Sequence, residues 1–367
     1  MKFRCDRDDL SEALQTVQRG VSNRPGIPAL TGVLLETSAD MLTLTTTDLE
    51  VSAKLGLPVQ GQEEGVALIP ARLFADMVKS LPQAPVELDA DGSQARISCG
   101  AFEGTVRLLP AEDFPAWQEP GGTTVKLEAA RFAEAVAQVA RAASRDEARP
   151  TLTGVLLEVT REGVTMVATD SYRLALRDLT ASAEGEAQAL VPERALSEAG
   201  RAAAGDEKGG VDLVVDQSQV TFRTGAFTLT SRLIEGQFPN YRQLLPEGYE
   251  NRLTVSRQQL LDAVKRVGIL ARENTPVRME FNALGVRLSS SSPDLGDAVE
   301  AVEARYEGAD VTVAFNPTYL ADGLQASTGE TVRLEIKDGL KPGVVRGEGS
   351  NEFTYLVMPV RLPAPVA

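Results

Sequence analysis

The chain has 367 residues, of which 43% are hydrophobic and 24% charged, and this length exceeds what one hydrophobic core usually supports, so we expect two or three domains. It contains no histidine, the commonest general base and zinc ligand, and its only cysteines are Cys5 and Cys99, which excludes histidine-based catalysis and a disulfide framework. Taken alone, a net charge of −15 argues against binding nucleic acid, because phosphates require a basic surface.

The first third of the chain alternates between helical and strand patterns. A helix is predicted for 7–19, where apolar residues recur at helical spacing. A β-rich segment follows at Leu42–Ala53. Pro70 suits the first turn of a second helix over 70–81, and further strands are predicted for Val86–Leu109.

The same order of patterns recurs in the other two thirds. These predicted segments are the helices 127–145, 192–203, 256–272 and 316–326 and the strand regions Val164–Leu176 and Val211–Leu233. No run of 18 apolar residues is present, and the opening MKFRCDRDDL lacks the apolar stretch of a secretory signal. We therefore expect a cytoplasmic protein with reduced cysteines and no membrane partner.

Short strings repeat along the chain at a nearly constant displacement. LTGVLLE occurs at Leu30–Glu36 and again at Leu152–Glu158, and Gly-Ala-Phe occurs at 100–102 and 225–227. A fainter third copy matches Pro317 to Pro70 and Pro192. We predict an α+β protein of three similar domains, each with two helices packed on antiparallel sheet. The predicted boundaries are 1–122, 123–249 and 250–367. An array of repeats with no special geometry is the alternative.

Positive charge is concentrated in the six helical windows. They hold 13 Lys/Arg and 10 Asp/Glu, whereas the rest of the chain holds 24 and 42. On the third window, the residues Arg131, Glu134, Gln138, Arg141 and Arg145 are spaced to share one helix face. A weakly positive surface within a negative body would hold DNA in one place only, although solvated helix faces are the plainer interpretation.

The number of helices bears on oligomeric state if the helices line a hole. At a helix width of about 10 Å, six helices side by side enclose a hole of about 9 Å, which is too narrow for duplex DNA. Twelve helices enclose about 28 Å on the same estimate. Two chains would then be needed.

With these residues in view, the chain resembles the bacterial DNA polymerase III beta subunit family, the sliding clamps, over essentially its whole length. The strings that carry the resemblance are the opening MKF, Arg24-Pro25, Thr47-Asp48-Leu49-Glu50, Pro70-Ala71-Arg72, Leu109-Pro110-Ala111, Phe114-Pro115, Ala168-Thr169-Asp170, Arg173-Leu174, Phe238-Pro239, Tyr241-Arg242, Val357-Met358-Pro359 and Arg361-Leu362. The resemblance implies the DNA clamp fold and a ring made of a head-to-tail dimer. It also implies a processivity factor that slides on duplex DNA without sequence specificity, has no catalytic activity and needs no cofactor.

The partners implied by the resemblance are duplex DNA, the DNA polymerase III alpha subunit, a clamp loader, other DNA polymerases and repair proteins, and a second copy of the chain. Client peptides are expected in a hydrophobic cleft between the second and third domains. The matching residues are Leu152, Thr169, Ser171, Tyr172, Arg173, Leu174, Pro239, Leu244, Leu356 and Met358. Some family members have Gly-His where this chain has Ser171-Tyr172, which bears on peptide preference.

The resemblance also implies contacts with DNA and between chains. The expected DNA-binding residues are Arg24, Arg141, Arg145, Arg149, Arg201 and Lys265. At the dimer seam, Ile269 and Leu270 are expected to meet Val106 and Leu108 of the partner chain. The acidic residues Asp294, Asp297, Glu300 and Glu303 could face Arg96 or Arg107 across the seam, or form a solvated loop.

Two other functions remain open on the sequence. An enzyme that uses carboxylates, with or without Mg²⁺, would use Asp48 and Asp170, although their recurrence after threonine favours a hydrogen-bonding role in turns. A repeat scaffold or adhesin that does not bind DNA is the second, and the charge of the helices argues against it.

Overall fold

The computed structural model describes residues 1–21, 26–117, 121–206, 209–245, 248–271 and 275–361. Six α-helices lie in this part of the chain, as predicted. They are α1 (Arg7–Val17), α2 (Ala71–Ser80), α3 (Ala129–Val139), α4 (Glu193–Ala204), α5 (Arg257–Gly268) and α6 (Pro317–Ala326). The prediction of 127–145 is too long, because α3 ends at Val139 and a 3₁₀ turn, Ala140–Ala142, follows it.

The described strands fall into three sets of nine. The first set is β1 (Lys2–Cys5), β2 (Gly32–Ser38), β3 (Met41–Thr47), β4 (Val51–Pro58), β5 (Gln60–Glu63), β6 (Gly65–Pro70), β7 (Val86–Asp91), β8 (Gln94–Cys99) and β9 (Phe102–Arg107). The second is β10 (Thr123–Glu128), β11 (Gly154–Thr160), β12 (Gly163–Thr169), β13 (Arg173–Thr180), β14 (Ser182–Ala183), β15 (Ala187–Pro192), β16 (Gly210–Val215), β17 (Gln219–Thr224) and β18 (Phe227–Arg232). The third is β19 (Asn251–Ser256), β20 (Val277–Asn282), β21 (Gly285–Ser292), β22 (Gly296–Glu303), β23 (Arg305–Glu307), β24 (Val311–Phe315), β25 (Thr331–Ile336), β26 (Gly343–Gly347) and β27 (Phe353–Val357).

Each set has the same order of elements: one strand, a helix, five strands, a second helix and three strands. The three repeats inferred from short strings are therefore confirmed at the level of every element. The fold is α+β with antiparallel sheets and two helices in each copy, as predicted.

Side-chain caps start several of the helices. The Asp6 carboxylate accepts hydrogen bonds from the backbone N–H of Asp8 and Asp9 before α1, and Asn316 caps α6 in the same way. Pro70 and Pro192 take this capping position before α2 and α4. The match of Pro317 to these prolines is therefore wrong by one residue, because Asn316 has the equivalent position and Pro317 is the first residue of α6.

The chain divides into two compact units. The first, Met1–Ala133 with Ala181–Leu233, contains a sheet in the order β5-β1-β7-β8-β9 and a second sheet in the order β14-β10-β16-β17-β18-β4-β3-β2-β6. In the second sheet, β18 from the second repeat pairs with β4 from the first, with Leu229 opposite Ala53. Helices α1 and α2 pack together in this unit, with Leu10 and Phe74 completely buried.

The second unit comprises Glu134–Thr180 and Ile234–Ala367. One of its sheets contains strands in the order β11-β12-β13-β27-β26-β25-β19-β23, and the other has the order β22-β21-β20-β24. Strand β27 of the third repeat pairs with β13 of the second, with Tyr355 opposite Ala175. Sheet pairing therefore crosses the borders between repeats, which is why the compact units differ from the repeats. The boundaries at 122 and 249 stay a prediction.

The two cysteines are free and buried, and they do not form a disulfide. Strand β7 lies between them: Val86 pairs with Cys5 on one side and with Cys99 on the other. Two strand spacings, about 9.6 Å, separate them, which is more than a disulfide can bridge. Burial, the largest cause, together with the charges of Asp6 and Asp9, raises the pKa of Cys5 to about 12, so its thiol is unreactive at neutral pH.

Candidate functional site

A hydrogen-bonded turn between β12 and β13 presents the centre of the predicted cleft. Asp170 Oδ1 accepts from the backbone N–H of Tyr172 at 2.9 Å and of Arg173 at 3.0 Å. Thr169 Oγ1 accepts from the N–H of Ser171 at 3.1 Å and donates to the Arg173 carbonyl at 2.6 Å. Ser171 adopts φ +81° at the apex. The Asp170 and Thr169 side chains therefore hold the backbone of the turn, and this fixes the backbone position of Tyr172.

Arg173 connects this turn to helix α6. Its Nε donates to Asp170 Oδ2 at 3.0 Å, its Nη1 donates to Asp322 Oδ2, and its guanidinium carbon lies 4.6 Å from the centre of the Tyr319 ring. Burial alone would lower the pKa of Arg173, but the acidic groups around it, including those of Tyr355, Asp170 and Asp322, outweigh burial and raise that pKa. The cation is thus permanent, and its charge is matched by two carboxylates.

A mainly apolar pocket of about 360 Å³ lies beside the Tyr319 ring that Arg173 contacts. The rings of Tyr172 and Tyr319 are stacked at 6.4 Å between centroids and 21° between planes, and they form part of the wall. The lining residues are Tyr172, Thr275, Pro276, Asn316, Tyr319, Met358, Pro359 and Val360. Tyr172 is 59% exposed and Met358 39% exposed, so apolar side chains are available to a ligand.

The ten predicted cleft residues have different positions in this structure. Tyr172 and Met358 line the pocket. Four others are buried: Leu152, Thr169, Leu174 and Leu356. Arg173 lies in the ion network, and Ser171, Pro239 and Leu244 are exposed.

Six pocket residues were missed by the sequence reasoning: Thr275, Pro276, Asn316, Tyr319, Pro359 and Val360. Tyr319 follows the capped start of α6, where an aromatic residue next to buried Leu320 looks like part of the helix core. Val360 is kept in the wall by its N–H, which donates to the Ala314 carbonyl at 2.8 Å.

The segment that carries Pro239 and Leu244 is anchored to β11. Tyr241 donates its hydroxyl to Glu158 Oε2 at 2.6 Å, and Arg242 donates to both oxygens of the same carboxylate, at 3.2 and 2.6 Å. This anchor fixes the path of the chain between the second and third repeats. Glu158, the last residue of the repeated string LTGVLLE, is thus the shared acceptor for Tyr241 and Arg242.

The equivalent turn in the first repeat carries no aromatic pocket. Asp48 holds the turn by accepting from the N–H of Glu50 and Val51, as Asp170 does. Glu50 takes the position of Tyr172, and Arg232, whose N–H donates to the Glu50 carbonyl, takes that of Met358. Counted from the helix caps Pro192 and Asn316, Ala195 takes the position of Tyr319. Charged and small residues therefore replace the two rings and the thioether.

Of the residues expected to bind DNA, Arg141, Arg149 and Arg201 have hydrogen-bond or ion-pair partners within the chain. Arg24 lies outside the described residues. Arg149 donates to Asp146 Oδ2 at 2.9 Å and to Ser171 Oγ at 3.1 Å, and the hydrogen bond from Arg149 lowers the pKa of Asp146. Arg141 donates to the carbonyls of Ala137 and Asp322. Arg201 is exposed and paired with Glu198, while Arg145 and Lys265 are exposed.

The charged stripe expected on the third helix is wrong in part. Gln138 is buried, and its Nε2 donates to the Ala326 carbonyl of α6 at 2.9 Å. Arg145 lies beyond the end of α3. On α1, the exposed residues Asp8, Asp9 and Glu12 are acidic, so positive charge is not shared evenly among the helices.

The residues expected at the dimer seam lie near two strand edges. Ile269, just after α5, is 76% exposed and Leu270 is half-buried. Val106 is buried within its own sheet and Leu108 is half-buried. Glu300 receives hydrogen bonds from Arg266 at 3.0 and 2.5 Å, and this contact lowers the pKa of Glu300.

No helix in the described ranges is long and apolar enough to cross a membrane. Groups of three or more His, Cys, Asp or Glu side chains that could hold a metal ion are also not found among the described residues.

Three family models match the chain in order: the DNA polymerase III beta subunit N-terminal domain at residues 1–118, the central domain at 126–240 and the C-terminal domain at 242–361. A protein named beta sliding clamp from Streptomyces coelicolor is 37% identical, and the match covers 99% of this chain and 100% of that protein. Another beta sliding clamp, from Pseudomonas putida, is 34% identical with the same coverage.

Solved structures give the same picture. A sliding clamp from Pseudomonas aeruginosa, bound to griselimycin, has a TM-score of 0.95 and 32% identity, covering 99% of this chain and 100% of that one. The DNA polymerase sliding clamp from Bacillus subtilis has a TM-score of 0.94 and 29% identity with the same coverage. The matched ranges follow the three repeats.

Proposed function

The chain belongs to the DNA polymerase III beta subunit family, the beta sliding clamps, and from that premise we propose that two copies form a closed ring that encircles duplex DNA and holds the polymerase on it. The chain is a processivity factor of DNA polymerase III. We infer that it catalyses no reaction itself, since Asp48 and Asp170, the best candidate carboxylates, are engaged in holding turns. The work of such a factor on the chromosome implies a cytoplasmic location.

The observation that carries the ring proposal is a pair of strand edges with no partner in the sheets described. Strand β18 pairs with β4, and β27 pairs with β13, so the last strand of one repeat joins the fourth strand of the repeat before it. The equivalent strands β9 and β22 end their sheets. Pairing of β9 with β22 of a second copy would repeat the same join head to tail and close a ring.

The two internal joins also give the register of the proposed seam. Phe227 and Phe353, the first residues of β18 and β27, pair with Leu55 and Arg177. Phe102 is the first residue of β9 and so has the equivalent position. Its partner in β22 can be found by comparing the registers of the three equivalent hairpins, β3–β4, β12–β13 and β21–β22.

Leu44, Met166 and Leu288 are successively 122 residues apart, and they pair with Leu55, Arg177 and Glu300 respectively. Phe102 should therefore lie opposite Glu300 of the partner chain. Counted in opposite directions along the two strands, the pair one position on is Glu103 with Val299, and the pair three positions on is Thr105 with Asp297. All four of these side chains are exposed in the single chain.

Charge supports this arrangement. Arg96 lies opposite Thr105 on β8, and Arg107 lies two residues from Thr105 on the same exposed face. The partner's Asp297, opposite Thr105, would lie diagonally across from Arg107 and two strands away from Arg96. Opposite charges on neighbouring strands stabilise pairing.

A cross-linking experiment tests the seam. Thr105→Cys combined with Asp297→Cys should give a covalent dimer under mild oxidation, because paired Cα atoms lie about 5.5 Å apart, within disulfide range. Thr105→Cys combined with Ala298→Cys is the matched control, since a one-residue shift puts the side chains on opposite faces. Equal cross-linking in both variants, or none in the first, would contradict the register.

We further propose that the pocket lined by Tyr172, Tyr319 and Met358 receives apolar side chains of client peptides, from the polymerase III alpha subunit and from other polymerases and repair proteins. The support is an exposed, mainly apolar wall. The nearby Arg173 is already paired with Asp170 and Asp322, so an apolar ligand would leave no buried charge unpaired. Opening of the ring by a separate clamp loader completes the proposal.

Encirclement has a direct test. The protein is loaded on nicked circular DNA, and the DNA is then linearised. A ring stays on the circle and is lost from the cut DNA, because contacts to phosphate from residues such as Lys265, Arg145 and Arg201 are too few to hold it. Equal retention on both forms would reject encirclement in favour of direct adhesion.

A further inference from the structure

The wall of the pocket includes one thioether that solvent reaches. Met358 lines the pocket together with Tyr172 and Tyr319, and it is 39% exposed. Its backbone N–H donates to the Tyr172 carbonyl at 2.8 Å, which joins the two sides of the wall at the backbone. Peroxides oxidise an exposed methionine sulfur, whereas burial protects it. The same side chain is therefore part of the pocket and open to oxidation.

Most other sulfur atoms of the chain are shielded. Cys5 and Cys99 are buried, and burial, the largest cause, raises the pKa of the Cys5 thiol to about 12, so little reactive thiolate forms. Of the six methionines, Met1, Met166 and Met279 are buried and Met77 is half-buried. Met41, on β3, is 44% exposed and does not line the pocket. A peroxide in solvent therefore meets Met358 and Met41 most readily.

Oxidation of Met358 needs only the peroxide. The sulfur uses a lone pair to form a bond with one oxygen of hydrogen peroxide, the O–O bond breaks, and the other oxygen leaves as water. The methionine loses two electrons and the peroxide gains them. The product is methionine sulfoxide, a polar side chain that sulfoxide reductases convert back to methionine.

The sulfoxide would change the wall that a client has to match. An apolar client side chain in the pocket would take the new oxygen out of water, and burial of a polar group is unfavourable unless a hydrogen bond replaces the lost water. The added oxygen also occupies space beside the two tyrosine rings. Together these effects should raise the Kd of a client about tenfold or more.

We propose that Met358 is a redox-sensitive modification site, at which the sulfoxide keeps apolar client side chains out of the pocket and reduction admits them again. The inference rests on the proposed function of the pocket as the client site. Met358 follows β27 and lies outside β9 and β22, the strands of the proposed seam. The clamp would then release its clients under peroxide while the ring stays closed.

Peroxide treatment of the purified clamp tests the proposal. The clamp is treated, catalase destroys the peroxide, and binding to untreated polymerase III alpha subunit is measured by surface plasmon resonance. The Kd should rise about tenfold or more, and methionine sulfoxide reductases should restore it. Mass spectrometry identifies the methionines that gained an oxygen. An unchanged Kd with Met358 oxidised overturns the proposal, and so does a Met358 that peroxide leaves unmodified.

Two leucine variants separate the two exposed methionines. Met358→Leu removes the sulfur from the pocket, so its Kd, whatever the starting value, should be the same before and after peroxide. Met41→Leu is the matched control and should lose affinity on treatment as the unmodified chain does. A treated Met358→Leu clamp that loses affinity as much as the unmodified chain would place the effect elsewhere and overturn the proposal.

Protection by a bound client separates this proposal from the client proposal. With the alpha subunit bound, Met358 should oxidise more slowly, whereas the oxidation rate of Met41 should not change. A client that binds without protecting Met358 refutes the pocket as the client site. A client that protects Met358, but whose Kd ignores the sulfoxide, refutes the redox-sensitive site alone.

Discussion

Truncation of Tyr172 separates binding from stability. Its side chain is 59% exposed, and its principal contact is the Tyr319 ring at 6.4 Å. Such aromatic pairs contribute about 0.5–1.5 kcal/mol, so Tyr172→Ala should lower the free energy of unfolding by about 1.5 kcal/mol at most. We expect a change in Tm of no more than about 4 °C by differential scanning fluorimetry.

The same truncation should reduce client affinity far more. A tyrosine that forms the wall of a recognition pocket typically contributes about 2 kcal/mol or more, which corresponds to about a 30-fold rise in Kd. The measurement is surface plasmon resonance with the polymerase III alpha subunit. Glu50→Ala, at the equivalent position of the first repeat, is the matched control and should bind like the unmodified chain.

Two results would refute this reasoning. A Kd raised less than about threefold by Tyr172→Ala, at unchanged Tm, would mean that the stacked rings do not receive the client. An equal loss of affinity in Glu50→Ala would mean that the first-repeat turn also recognises clients. The charged residues Glu50 and Arg232 would then not prevent clients from binding there.

The remaining predictions concern stability and the seam. Leu174 is only 2% exposed, so Leu174→Ala should cost about 2–5 kcal/mol and lower the Tm, which makes it unsuitable as a probe of client binding. Ile269→Asp with Leu270→Asp should yield monomers on gel filtration, and a persistent dimer would reject these residues as seam contacts. Arg266 lowers the pKa of Glu300, so the pair adds stability above the usual carboxyl pKa of 4.5 and loses it as pH falls through the lowered value. Glu300→Gln should therefore lower the Tm at pH 7 but progressively less below pH 4.5, and a pH-independent difference would contradict the ion pair.

The repeats and the helices were predictable because both leave periodic marks in the sequence. Apolar spacing located all six helices in the described chain, and recurring strings located the copies. The end of α3 was missed because Ala140, Ala142 and Ala143 continue the apolar pattern through a 3₁₀ turn. Periodicity records which side chains are buried, but a 3₁₀ turn buries small residues as a helix does.

The sequence predicted only two of the eight residues that line the pocket. Tyr172 and Met358 were found through the resemblance, whereas Tyr319 lies on another element, and its contact with Arg173 depends on tertiary packing. Leu152, Leu174 and Leu356 were expected in the cleft, and all three are buried in the single chain. A sequence match identifies a residue's neighbourhood and leaves open which way its side chain faces.

The common frame of the repeats explains why one chain would carry one cleft. Each join between repeats places the turn before the fourth strand beside the segment that follows the last strand, as the hydrogen bonds from Arg232 to Glu50 and from Met358 to Tyr172 illustrate. At the first join, charged side chains occupy this place. At the second, two tyrosines and a methionine leave it apolar and open.

At the third join, which the seam would make between chains, the turn is one residue longer. Ser291 pairs with Asp297, where Thr169 pairs with Leu174, so five residues lie in the turn in place of four. The turn residue that presents the tyrosine ring in the second repeat has no counterpart in the same register here. In the proposed dimer the frame has three equivalent places per chain, and the proposed client pocket lies at one of them. A dimer built on this frame should bind two clients per ring, and a stoichiometry of more than one peptide per chain would show that a second join also recognises clients.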